Sequence, residues 1–255
     1  MLKISKFIIS DLVRNKVLIA YLLFLSVVGW GIFYLEGQPE KAHMVLLQVT
    51  LIVVPIFSIV FTGIYFYNSR EFILLLLSQP IHRKVILNSQ LLGLIFSHLT
   101  AYVLGIGLPL LIFYNNPSSY LLIITGILLT MVFSSIAVFV GVYIHDKAKG
   151  LGAMLFLWAF FAFIFDGLLL LFMFQYGDYP IERPVMIITL FNPIDTARIT
   201  VIMQTEASAL MGLSGAVFQK VFGSSVGVVI ALIDLVLWCF VPYLFARYKF
   251  IKKDF

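Results

Sequence analysis

Ser69-Arg70-Glu71-Phe72-Ile73-Leu74-Leu75-Leu76-Leu77-Ser78-Gln79-Pro80-Ile81-His82-Arg83 is the stretch on which the reading of this chain turns. It is an apolar run closed by charge at both ends, with a proline near its end. Two much longer apolar runs flank it, Met44 to Phe66 and Ile86 to Tyr114. A minimal connection between two spans needs only a few residues and no block of leucines. The pattern predicts a short helix lying at the membrane surface, where a soluble partner can push on it.

The rest of the chain supports a membrane setting. Of 255 residues, 62% are hydrophobic and 11% charged, and the mean hydropathy is +1.08. Soluble domains carry about 25% charged residues. Six runs reach the roughly 20 apolar residues that a helix needs to cross a bilayer: Val17 to Leu35, Met44 to Phe66, Ile86 to Tyr114, Tyr120 to Tyr143, Leu151 to Tyr176, and Ser225 to Ala246. None alternates as a barrel strand does, so an all-α membrane protein of six transmembrane helices is expected. The lipid bilayer is its first partner, and residues 1–255 read as one membrane unit.

Lys and Arg placement predicts the orientation. With the N-terminus inside, 13 of the 17 basic residues fall on the inner side, among them Lys3, Lys6, Arg14, Arg70, Arg83, Lys147 and Arg247; only Lys41, Arg183, Arg198 and Lys220 fall outside. Both termini are expected to be cytoplasmic. The same bias accounts for the net charge of +5, which therefore carries no nucleic-acid signal. The single cysteine, Cys239, excludes an intramolecular disulfide. The first apolar run ends without a small-residue cleavage site, so no cleaved leader is expected.

Residues 1–16 place Lys3, Lys6, Ser10 and Arg14 at helical spacing among apolar neighbours, which predicts an amphipathic interfacial helix or an ordinary basic flank. Between spans 5 and 6 the chain spends residues 177–222 on the outer side, too long for a plain connection. Within it, Asn192-Pro193 reads as a helix start, with Asn as the cap, Pro at the first helical position and Asp195 close behind. Ala207 to Phe222, with Leu210, Met211 and Phe218, reads as a helix or turn on the outer surface that caps the bundle or meets another protein.

No phosphate-cradling G-x-x-x-x-G-K-[ST] loop is present, and no nucleophile and base pair suggests an enzyme. His43, His82, His98 and His145 lie on different segments without metal-ligand spacing, so no metal site is expected. Three ionisable groups fall inside spans: His98, Asp166 and Asp234. Charges at that depth cost about 2.5–3.5 kcal/mol on insertion scales, so they face an interior, a cavity or a partner. Asp166 is expected to line a pathway or subunit interface, or to be a hydrogen-bonded structural group. His98, beside Ser97 and Thr100, fits an interhelical hydrogen bond, and for Asp234 the choice stays open. Gly105-Ile106-Gly107-Leu108-Pro109 marks the expected bend in span 3.

Arg70-Glu71…Leu75-Leu76-Leu77-Ser78-Gln79-Pro80-Ile81-His82-Arg83, followed by Gln90-Leu91-Leu92-Gly93, resembles the first cytoplasmic loop of the ABC-2 type permeases. The resemblance covers essentially the whole chain; Phe72-Ile73 stands where a Gly-Thr pair often precedes the leucines. It implies that residues 67–85 form the coupling segment that docks into a cytoplasmic ABC ATPase dimer, with Arg70, Glu71, Leu77, Ser78, Gln79, Pro80 and Arg83 carrying the contact. ATP and Mg would be bound by that partner, with no cofactor in this chain. Phe165-Asp166-Gly167-Leu168-Leu169-Leu170, Leu190-Phe191-Asn192-Pro193-Ile194-Asp195-Thr196-Ala197-Arg198 and Ala209-Leu210-Met211-Gly212-Leu213-Ser214 are similar to the permeases of nitrous-oxide-reductase maturation transporters. That narrower resemblance implies a homodimer in the bacterial inner membrane. It also implies a periplasmic β-helical partner held by Asn192, Pro193, Asp195, Arg198, Leu210, Met211 and Phe218. A sulfur species would be moved, or ATP-driven motion passed outward, in support of the enzyme's copper–sulfur centre. The competing expectations are an exporter of a drug, lipid or other hydrophobic molecule, and a scaffold that transmits motion and moves nothing.

Overall fold

The computed structural model describes residues 2–177, 179, 182–205 and 224–252. Among these all regular structure is helical, and six helical segments are long and apolar enough to cross a membrane. In chain order the helices are α1 Leu2–Val13, α2 Lys16–Leu35, α3 Pro39–Asn68, α4 Arg70–Leu77, α5 Arg83–Tyr102, α6 Leu108–Phe113, α7 Pro117–Tyr143, α8 Lys147–Ala159, α9 Phe165–Gln175, α10 Glu182–Leu190, α11 Pro193–Ile202 and α12 Ser225–Lys252. The candidate spans are α2, α3, α5 with α6, α7, α8 with α9, and α12. One end of the bundle is basic, holding Arg14, Arg70, Arg83, Lys147 and Arg247, and the opposite end lies across the spans.

The central helix is α7, which packs against α3, α5, α11 and α12. Small hydroxyl residues suit that position. Thr125 and Thr130 donate to carbonyls one turn back, at 2.9 and 2.8 Å, so their polar atoms are satisfied inside the helix and the surface stays smooth for close packing. By contrast α2, the α8–α9 span and α12 are only 22%, 17% and 17% buried. Their apolar faces (Leu23, Phe24, Phe156, Leu170, Phe240 and Phe245 among them) look outward, as lipid permits.

Two spans are broken by a turn of π-helix, Val103–Gly107 and Phe160–Ile164. The first falls at the bend expected from Gly105 to Pro109. Pro109 lacks an N–H and cannot continue the α ladder, and the wider turn absorbs that loss. Gly105 also lets α2 approach: a Cβ on Gly29 would stand 2.1 Å from the Gly105 carbonyl oxygen. The second π turn has no proline, and its cause lies in the opposite-end site described below.

Helix α1 packs along α5, with Ile8 and Leu12 buried at 1% and 0% exposure and Tyr65 donating to Asp11 at 3.2 Å. Its apolar face thus meets protein as well as any lipid. The larger difference from expectation is in residues 182–202. Helices α10 and α11 meet at 119°, and α11 runs among α3, α7 and α12 with Pro193 to Ala197 and Ile199 to Val201 buried. This part of the connection between the last two spans is not a surface loop; it turns back into the bundle. Leu210, Met211 and Phe218 lie outside the described residues.

Candidate functional site

At the basic end, α4 has two unlike faces. Ile73 and Leu76 are buried in a cluster with Phe66 of α3, Ile86 and Leu87 of α5, Val142 of α7 and Phe250 of α12. Leu74 and Leu75 are 48% and 57% exposed, next to exposed Glu71, Ser78, Gln79 and Pro80. Helix α4 therefore packs on α3 and α5, adds one face to a cluster shared by the ends of four spans, and presents two leucines on the other. Leu77, expected as a contact, is only half-buried and packs at the edge of the cluster. The four-leucine run hid this division, although a 100° step per residue puts Ile73 and Leu76 on one side and Leu74 and Leu75 off it.

Both ends of the α4 segment are tied to other helices. Arg70 Nη2 donates to the Ile144 carbonyl at 3.4 Å while its guanidinium lies 4.8 Å from the Tyr67 ring centre, and the Tyr67 hydroxyl donates to the same carbonyl at 2.9 Å. Ile144 ends α7, and two residues on Asp146 caps α8 by accepting from Lys149 N at 2.7 Å. Lys147 returns a bond to Asn68 at 2.8 Å. At the other end, Arg83 Nη1 donates to the Ile251 carbonyl of α12 at 3.0 Å. Arg70 and Arg83 are thus engaged within this chain.

At the opposite end, α11 is the centre of a second constellation. As the Asn-Pro pair predicts, Asn192 caps α11, its Oδ1 accepting from Ile194 N at 3.0 Å. The same side chain donates from Nδ2 to Asp195 Oδ2 at 2.6 Å and to the Phe161 carbonyl at 2.8 Å. Phe161 lies in the second π turn. A π turn displaces the regular i to i−4 ladder, and a carbonyl there is open to an outside donor. Asn192 supplies it, so the cap of one helix and the break in another stabilise each other.

Arg198 lies one turn further along α11. It donates to Asp166 of α9 and stands 3.2 Å from Asp195 Oδ1, so one guanidinium serves two carboxylates from different helices. On the other side of α11, the Thr196 hydroxyl lies 3.2 Å from the Thr189 carbonyl and 3.4 Å from Asp234 Oδ2 of α12. Trp238 of α12 donates to the Leu190 carbonyl at 3.1 Å, next to the α10–α11 bend. Asp166 and Asp234 therefore come to the two sides of one short helix. At 1.5 Å per residue, Asp234 lies roughly 14 Å from the start of α12, deep for any surface loop to reach.

Asn192, Pro193 and Asp195, expected on a partner surface, are buried in this chain and hold α11 in place. Arg198, expected with them, is the cation that the mid-span Asp166 requires. His98 is 1% exposed between α3 and α5, with the Phe57 and Phe61 rings edge-on at 5.5 and 5.2 Å, and among the described residues its ring nitrogens make no bond to another helix, so the expected interhelical hydrogen bond is replaced by aromatic packing. Thr196, Trp238 and the Phe161 carbonyl were missed. Their signal was available: a lone aspartate at mid-span calls for a cation, and Arg198 follows an Asn-Pro cap with Asp195 one turn before it.

Comparison of the sequence with models of protein families gives no match, and comparison with curated proteins gives none either.

Proposed function

We propose that this chain is the membrane permease subunit of an ABC-2 type transporter, working as a homodimer driven by two copies of a cytoplasmic ATPase. The observation that carries this reading is α4: a short helix between two spans that exposes Leu74 and Leu75 while its other face joins a cluster shared by the ends of four spans. Exposed leucines flanked by Glu71 and Gln79 suit a partner groove with an apolar floor and a polar rim. In this reading the basic end faces the cytoplasm.

The mechanism follows from the ties. ATP binding closes the partner subunits and displaces α4. Arg70 passes the displacement to the α7–α8 turn, Arg83 passes it to the end of α12, and Ile73 and Leu76 push on the cluster between them. The α8–α9 and α12 spans carry Asp166 and Asp234, which meet α11 from its two sides. Movement of either span relative to the other must change how α11 and its bend are held. Such a device works only if the bound partner favours one arrangement over the other.

The narrower proposal places the subunit in maturation of the copper–sulfur centre of nitrous oxide reductase, with a periplasmic β-helical partner receiving the motion or a sulfur species. The burial of α11 across the middle of the bundle favours transmission of motion over a pore within one protomer. In a denitrifying host, deletion of the gene should leave nitrous oxide reductase folded and exported but without the visible absorption of its copper–sulfur centre. Full absorption in the deletion strain excludes the maturation role and returns the general exporter reading.

A further inference from the structure

Asp234 also lines a groove beside α10. The groove is about 440 Å³ and runs between α10 and α12, with Ile187, Leu190 and Phe191 on one side and Leu237, Trp238 and Val241 on the other. Among the described residues, Asp234 is its only charged lining residue. The carboxylate is weakly provided for: its Thr196 contact is 3.4 Å long, and the Thr196 proton is shared with the Thr189 carbonyl at 3.2 Å. Val241, Leu237 and Phe191 are 46%, 54% and 63% exposed, so the groove opens sideways, toward lipid.

A carboxylate on an apolar, lipid-facing wall calls for a cation. Arg198 is engaged with Asp166 and Asp195. Among the described residues, Lys and Arg on the six spans stand near span ends (Lys16, Lys41, Arg83, Lys84, Lys147, Lys149, Arg247, Lys249 and Lys252), so the spans of a second copy docked side by side offer no cation at the depth of Asp234. A complement that comes from the bilayer itself must be apolar enough to dissolve there. An indole in the wall favours the same class, because aromatic faces attract organic cations. The volume lies within the roughly 300–1,000 Å³ of small-molecule sites.

We propose that the groove between α10 and α12 is a binding site for a hydrophobic organic cation that enters from the bilayer and pairs with Asp234. Trp238 ties this site to the α10–α11 bend through Leu190, so an occupant touches the element that the mechanism moves.

The test is equilibrium binding of radiolabelled tetraphenylphosphonium to the full chain in lipid nanodiscs, measured against empty nanodiscs. No ATPase is needed, so failure here leaves the transporter reading standing, and the reverse holds. Saturable binding is expected, at least tenfold weaker in Asp234→Asn and lost in Val241→Trp, which fills the exposed end of the groove and keeps the carboxylate. Glu40→Gln, which removes an exposed carboxylate at the start of α3, should bind as the wild type does. Binding no greater than to empty nanodiscs overturns the proposal. So does binding undiminished in Asp234→Asn, or equal competition by uncharged triphenylphosphine oxide.

Discussion

Arg198 is the residue on which the opposite-end site depends, because it is the cation shared by Asp166 and Asp195. Its removal leaves two carboxylates without a charge partner inside the bundle. Arg198→Met should cost about 2–3 kcal/mol, the scale of stranding buried charged groups. Thermal unfolding in detergent will read this as a clear fall in the midpoint. Asp166→Asn should cost less, since Arg198 keeps Asp195, and the double variant should recover part of the Arg198→Met loss. Asn192→Ala removes three bonds at once, to Ile194 N, Asp195 and the Phe161 carbonyl. It is expected to lower the midpoint by at least as much as an ordinary cap loss of about 1 kcal/mol, with faster amide exchange around residues 160–164. Much of this site was legible in the sequence: the cap at Asn192, the lone Asp166 and the nearby Arg198 were each visible. Their meeting was not, because no local pattern says that a chain leaving one span turns back toward it.

At the scale of elements, α4 shows where residue patterns run out. The apolar run and its flanking charges predicted a surface helix, and a helix is present at Arg70–Leu77. Which leucines face the bundle depends on the ends of α3, α5, α7 and α12, and those are set by tertiary packing. The roles of Arg70 and Arg83 were hidden for the same reason, since their acceptors Ile144 and Ile251 are 74 and 168 residues away. If Arg70 is a tie and not a docking contact, Arg70→Met should still co-purify with the ATPase while losing most of the coupled activity. The close approach of α2 to the π turn at Gly105 gives a sharper test of packing. Gly29→Leu places a side chain where the Gly105 carbonyl stands 2.1 Å away, so the two helices must separate. A loss of about 2–3 kcal/mol is expected from such overpacking. Gly31→Leu, with nothing within 4 Å of its Cβ, should leave the melting midpoint unchanged.

Across the whole molecule, the six spans were readable because about 20 apolar residues in a row have few other uses. The seat of α11 was not, because Pro193 to Ile202 is short, carries Asp195 and Arg198, and resembles an outer loop when read by composition. Polar residues signal exposure in water-facing segments, yet here they are spent on one another inside the bundle. The result is a molecule with a leucine-exposing helix at one end, a part-buried ionic node toward the other, and two spans joining them.

In the proposed transporter, exposed Leu74 and Leu75 of α4 receive a cytoplasmic ATPase. The most direct measurement is affinity purification of the chain from its native membranes in mild detergent, with mass spectrometry of the co-purifying proteins. The wild type should bring down an ABC ATPase in equal amount. Leu74→Asp combined with Leu75→Asp should fold and elute as the wild type does, and lose that ATPase. An ATPase retained by the double variant would contradict the placement of the contact, and a wild type that recovers no ATPase would contradict the transporter reading itself.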